Sequence, residues 1–246
     1  MRFPVLEIVA PSDLRPLLRT IDELHDYDIA VFISQNAVQR TMNLLRRRHD
    51  LPAGLRIAAI GRSTARELAR LGVPVHICPQ QRFDSEALLA LPEMQELDGS
   101  RVVIFRGEGG REMLGDTLRE RGAQVAYVET YRRARPDTDV AVLVEQWAGG
   151  AIDVVTITSS EALRNLCQLV ADRGGQRLRQ TPLVVLSERT AELARRLGFR
   201  REVLVADEAS DQGLLGALQR WSGARANTQE DAQMADATPV RGGRET

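Results

Sequence analysis

The sequence is short of the residues that would point to several common function classes. It has three histidines, at positions 25, 49 and 76, in no spacing that could surround a metal ion, so a metalloenzyme is not expected. Its two cysteines, Cys78 and Cys167, lie far apart in the chain. A single disulfide is one reading of them. Two buried thiols in a reducing cytoplasm is the better one, and the cytoplasm is the expected location. Charge of one sign is also missing: the formal net charge is −1. No basic excess suits nucleic acid, and any anion recognition must come from local groups. No apolar run approaches the roughly 20 residues of a membrane span, and MRFPVLEIVAPSD lacks the order of a signal peptide. Neither nucleic acid nor membrane is an expected partner.

What is present is a core and a rhythm. Hydrophobic residues make up 43% of the chain, enough to fold around. Short Val- and Ile-rich runs at 5–9, 29–33, 56–60, 73–77, 102–106, 125–131, 154–158, 183–186 and 202–205 read as strands. Helical patterns separate them at 12–24, 36–48, 63–71, 84–90, 111–121, 138–148, 160–172, 188–197 and 210–221. Strand and helix in alternation, with short turns, predict an α/β fold of doubly wound parallel sheets covered on both faces. Gly72, Gly122 and Gly198 follow helical segments and predict left-handed stops. Residues 222–246 carry few large apolar residues and no period, and read as a disordered tail.

The chain also repeats itself. At an offset of about 125 residues, YDIAVFISQNAV (27–38) meets IDVVTITSSEAL (152–163), and at about 126, STARELARLG (63–72) meets RTAELARRLG (189–198). Several blocks in one order at a nearly constant offset imply a duplicated α/β unit of about 125 residues. The second copy opens with SRVVIFRGEGGREMLGDTLRERG (100–122), to which nothing in the first corresponds, so about 25 residues are expected upstream of Met1.

In doubly wound sheets, ligands gather beyond the carboxyl ends of the strands, where helix N-termini point. Ser34, Thr64, Ser159, Ser187 and Thr190 are expected there, with Arg106 and Gly107 from RGEGGR. Hydroxyls, free backbone N–H groups and arginine suit carboxylates or phosphates. Helix capping is the competing reading for the hydroxyls, and Thr64 with Glu67 fits a capping box. The GEGG loop has neither the dinucleotide fingerprint nor the Lys-Ser/Thr of a P-loop. Tyr131, one of three tyrosines, ends a strand where one α/β unit gives way to the next. It is either a proton donor or a half-buried strand aromatic.

PVLEI (4–8), VFISQNAV (31–38), AIGRSTARELARLG (59–72), VVIFRGEGGRE (102–112), VETYRR (128–133), VTITSSEAL (155–163) and VLSERTAELARRLG (185–198) together resemble the uroporphyrinogen-III synthase family over residues 4 to 220. The resemblance implies two flavodoxin-like domains joined by a two-stranded ladder, gripping one substrate together. On this chain that divides into linker strands at 1–8 and 128–133, a middle domain at 9–127, a second domain at 134–221 lacking its N-terminal strand and helix, and the tail. It implies a cofactor-free dehydrating cyclase that closes the linear tetrapyrrole hydroxymethylbilane with inversion of ring D, and acts as a monomer. Tyr131 matches the family's proposed general acid. Ser34, Thr64, Ser159 and Thr190 match cleft positions, and Ser187 stands where the pattern usually has Gly. The alternative from another class is a tetrapyrrole-binding protein without catalysis.

Overall fold

The computed structural model describes residues 1–236, and side chains as far as 224. The last part of the expected tail, 237–246, lies outside the described residues. The chain divides into two compact units: Glu7–Ala134, and Met1–Leu6 with the chain from Arg135 onward.

The unit Glu7–Ala134 holds a five-stranded sheet. Its strands are β1 (Glu7–Val9), β2 (Ile29–Phe32), β3 (Arg56–Ala59), β4 (Arg101–Gly107) and β5 (Gln124–Ala134), in spatial order β1-β5-β4-β2-β3. All neighbours are parallel except β1, which runs antiparallel to β5 with Ile8 opposite Arg133. β2 is apolar throughout and β4 is apolar from Val102 to Phe105, because helices cover both faces. One face packs Phe32, Val103 and Phe105 against α1 (Arg15–Asp22), α2 (Gln35–Leu45) and α3 (Arg62–Arg70). The other packs Val31, Val102 and Ile104 against α4 (Ser85–Leu89) and α5 (Met113–Glu120). Phe32 and Phe105 stack with ring centroids 5.0 Å apart. Burying such a ring contributes about 1.5–3 kcal/mol.

The strand expected at 73–77 shrinks to a single bridge between Ala58 and Ile77. Pro74 removes a ladder donor, and the His76 ring accepts the Ile57 N–H at 2.9 Å through Nδ1, where a backbone carbonyl would otherwise serve.

The other unit holds a three-stranded parallel sheet, β6 (Val155–Ile157), β7 (Leu183–Val185) and β8 (Val203–Val205), in that spatial order. Its helices are α6 (Ala141–Ala148), α7 (Ser160–Leu169), α8 (Gly175–Arg179), α9 (Glu188–Arg196) and α10 (Asp211–Asp236). Phe3 and Val5 pack on its core, and the Asn165 side chain donates to the Val5 carbonyl at 2.9 Å. α8 is a helix that the sequence patterns do not suggest, because its Gly174-Gly175 opening reads as a break. α10 runs on to Asp236, through the first part of the segment read as a tail.

The internal repeat reappears in sheet register. Ala30, Val31 and Phe32 face Ile57, Ala58 and Ala59. Their counterparts Val155, Thr156 and Ile157 face Leu183, Val184 and Val185, which is the same pairing at the same offsets. Gly72 and Gly198 stop α3 and α9 with φ of 73° and 84°, the left-handed conformation that glycine adopts without strain. No helix among the described residues is long and apolar enough to cross a membrane.

Candidate active site

At the carboxyl end of the larger sheet, β2 and β4 are neighbours although β3 lies between them in sequence. Chain direction diverges at that point, which opens a crevice in sheets of this kind. Ser34 follows β2 in extended backbone and caps α2, its Oγ accepting the Ala37 N–H at 3.1 Å. The same Oγ lies 3.1 Å from the Tyr131 hydroxyl.

Tyr131 reaches Ser34 through a break in strand parity. Along β4 and β5, Ile104 pairs with Tyr127, Phe105 with Val128 and Arg106 with Glu129, but Gly107 pairs with Tyr131. Thr130 is the extra residue of this bulge, and its Oγ1 donates to the Arg106 carbonyl at 3.0 Å. Strict alternation would put Tyr131 on the face of Tyr127 and Glu129. The bulge moves it to the other face, into the core that holds Phe105 and Ala37. There the ring lies over Gly107, where a Cβ would come within 2.7 Å of Cε2 and Cζ. Only glycine leaves room for the ring, which is 4% exposed.

Arg106 is sent the opposite way by the same alternation. Its guanidinium lies 4.0 Å from the Tyr127 ring centroid, with Nη2 3.9 Å from both Glu112 and Glu129. Nε and Nη1 are buried without a hydrogen-bond partner. Arg106 therefore does not join Tyr131 and Ser34, although Gly107 does.

Thr64 is buried in the first turn of α3, whose N-cap is Gly61. The capping box does not form. Glu67 turns instead to Arg70, whose Nε and Nη2 donate at 2.9 and 2.7 Å, and to the Gln39 amide at 3.0 Å. Arg70 first and then Gln39 hold its carboxyl at about 2, well below the usual value. Gln35 donates to the Ser63 carbonyl at 3.2 Å and ties the starts of α2 and α3 together.

In the smaller unit, Ser159 caps α7 as Ser34 caps α2, accepting the Ala162 N–H at 3.1 Å. Ser187 caps α9 and accepts the Thr190 N–H at 3.4 Å. Buried Thr190 links two hydroxyls, with its Oγ1 3.0 Å from Ser187 and 3.1 Å from Ser160. Ser160 is the second serine of the Ser159-Ser160 pair that the sequence offers at the end of β6, and it is not among the residues matched to cleft positions. Its signal is its place in the repeat, where it matches Gln35, the other residue that ties two helix starts together. Cys78 and Cys167 are half-buried free thiols, and burial pushes both pKa values up.

A family model described as Uroporphyrinogen-III synthase HemD matches residues 1–216. The uroporphyrinogen-III synthase of Salmonella typhimurium is 39% identical over 220 residues, covering 88% of this chain and 89% of that one. That of Escherichia coli is 37% identical over 219 residues with the same coverage. A crystal structure of uroporphyrinogen-III synthetase from Helicobacter pylori matches with a TM-score of 0.58 at 13% identity, over 90% of this chain and 95% of that one. A mutant uroporphyrinogen III synthase from the extremely thermophilic bacterium Thermus thermophilus matches at 0.52 and 22% identity, over 89% of each chain. These two likenesses concern the fold.

Proposed function

The chain belongs to the uroporphyrinogen-III synthase family, and on that premise we propose that it cyclises hydroxymethylbilane to uroporphyrinogen III. It acts as a lyase-type cyclase in tetrapyrrole biosynthesis. The terminal hydroxyl leaves as water and ring A becomes an electrophilic azafulvene. Ring D attacks through its substituted α-carbon to give a spiro intermediate, and fragmentation and re-closure invert that ring. The pyrroles supply the reactivity. The protein's share is to fold the chain so that one carbon is the nearest nucleophile, and to hand the departing hydroxyl a proton.

Tyr131 is the proton donor in this reading. The observation that carries it is the bulge at Thr130, which aims the phenol across Gly107 at Ser34. Ser34 and Gly107 line its approach, and the starts of α2 and α3, with Thr64, offer N–H groups to substrate carboxylates. Ser159, Ser187 and Thr190 do the same at the starts of α7 and α9, and Arg106 supplies positive charge from the far face of its strand. The two units are copies of one flavodoxin-like fold, a reading supported by their matching registers. The enzyme works as a cytoplasmic monomer without a cofactor.

The test is to supply hydroxymethylbilane and separate the type I and type III products. Type I forms without an enzyme, so only type III counts. The wild-type chain is expected to give type III, and Tyr131→Phe to slow it while leaving the melting temperature in place. Binding of the linear tetrapyrrole with no type III product would overturn the catalytic reading.

A further inference from the structure

Among the described residues, one aromatic side chain is exposed: Phe83, with 44% of its surface open. It belongs to neither core cluster of its unit, so folding does not account for it. It sits between the Ile77 bridge and α4, and rests on the backbone where α3 begins. At Gly61, the N-cap of α3, a Cβ would lie 2.8 Å from the Phe83 Cβ and 3.3 Å from Cγ. The next residue, Arg62, holds its guanidinium carbon 5.0 Å from the Phe83 ring centroid, with Nη2 3.4 Å from the Gln80 carbonyl. Arg82 beside it is already paired with Asp84 at 2.8 Å. Arg62 makes no ion pair with the described residues, so it keeps its charge available.

An apolar ring face next to an unpaired guanidinium, at the start of a nine-residue helix, matches a planar ring that carries a carboxylate arm. Gln35 and Ser63 join this helix start to that of α2, next to Ser34. We propose that Phe83 and Arg62 form a subsite for one carboxylate-bearing pyrrole ring of the substrate, with the ring packed on Phe83 and its carboxylate taken by Arg62. This rests on the function proposed above and adds the residues that grip one ring.

The test uses the full chain, with Phe83→Ala, Phe83→Tyr and Arg62→Gln. Two readouts are compared: steady-state formation of type III product, and a fluorescence titration with uroporphyrin III, a stable octacarboxylate analogue of the product. Phe83→Ala is expected to raise KM about tenfold and weaken uroporphyrin binding to a similar extent, on the scale of one lost ring-stacking contact. Phe83→Tyr should retain wild-type values. Arg62→Gln should raise KM and flatten its dependence on ionic strength. Unchanged KM and unchanged uroporphyrin affinity in both Phe83→Ala and Arg62→Gln overturn the subsite. So does a loss that appears as a lower melting temperature with the affinity intact. If the wild-type chain makes no type III product, the parent reading fails, and the titration still decides whether Phe83 and Arg62 hold a carboxylated pyrrole.

Discussion

β2 and β6 carry corresponding sequences and pair with β3 and β7 in the same register, yet they sit in different neighbourhoods. β2 has β4 on its other side, and all four of its residues are buried. β6 is an edge strand, and its middle residue, Thr156, is exposed where Val31 is wholly buried. Beside β6 lies a cavity of about 470 Å³ lined by Phe3, Val5, Leu143, Trp147 and Trp221. The Trp147 Nε1 is buried there without a hydrogen-bond partner. One sequence pattern thus specifies a strand and its register on one side, and the neighbour on the other side decides whether the strand becomes core. The chemistry divides the same way. The larger unit brings a phenol to its capping serine, and the smaller unit answers with a chain of hydroxyls.

The sharpest way to break the comparison is to remove the feature that one unit has and the other lacks. Tyr131→Phe is expected to lower type III formation about 10²-fold, the low end for a lost general acid, because ring electrons and water also assist the departing hydroxyl. A quenched-flow assay of the two isomers measures it. Next comes an exchange of the matching strand positions. Val31→Thr buries a hydroxyl with no partner and should destabilise by about 1–3 kcal/mol. Thr156→Val, at the exposed counterpart, should stay within about 0.5 kcal/mol. Denaturant melts of the two variants read the difference, and equal losses would mean that β6 is as enclosed as β2. Thr190→Val breaks the hydroxyl chain and should cost about 1–2 kcal/mol for its two bonds, with a smaller loss of type III formation than Tyr131→Phe.

The smallest effect is in acid. Glu67 has its pKa held at about 2, below its ordinary 4.5, by Arg70 and Gln39. A depressed carboxyl contributes stability that is full above the unfolded value and lost as pH falls through the folded one. That contribution should therefore fade between about pH 4.5 and 2. The second copy has Leu193 at this position, so Glu67→Leu should make the melting temperature less sensitive to pH across that window. An unchanged acid limb would show that the Arg70 and Gln39 contacts do not form in solution.

Much of the fold was legible in the sequence because strand and helix periods are local. Val and Ile runs gave the strands of both sheets, and the glycines at 72, 122 and 198 marked helix stops. Position 73–77 misled because its apolar pattern is that of a strand while Pro74 withholds the donor a strand needs. At the site, the capping serines were readable from their place before helices. Thr64 with Glu67 matched a capping motif, but Arg70 and Gln39 compete for that carboxylate. The pairing of Tyr131 with Ser34 was out of reach. It joins residues 97 positions apart in the chain and depends on a bulge between β4 and β5 that no periodicity records.

That bulge amounts to one residue of slack in one strand. Counted in twos, Tyr127 and Tyr131 are interchangeable, and only the bulge at Thr130 makes them opposites. Loss of a single codon at Thr130 would place the tyrosine directly after Glu129 and opposite Gly107, so plain alternation would keep the phenol on its present face, and only the hydroxyl that reaches the Arg106 carbonyl would be lost. A relative one residue shorter at this point would therefore present its phenol to the same helix start, and a gap in the strand would be no sign of a lost site.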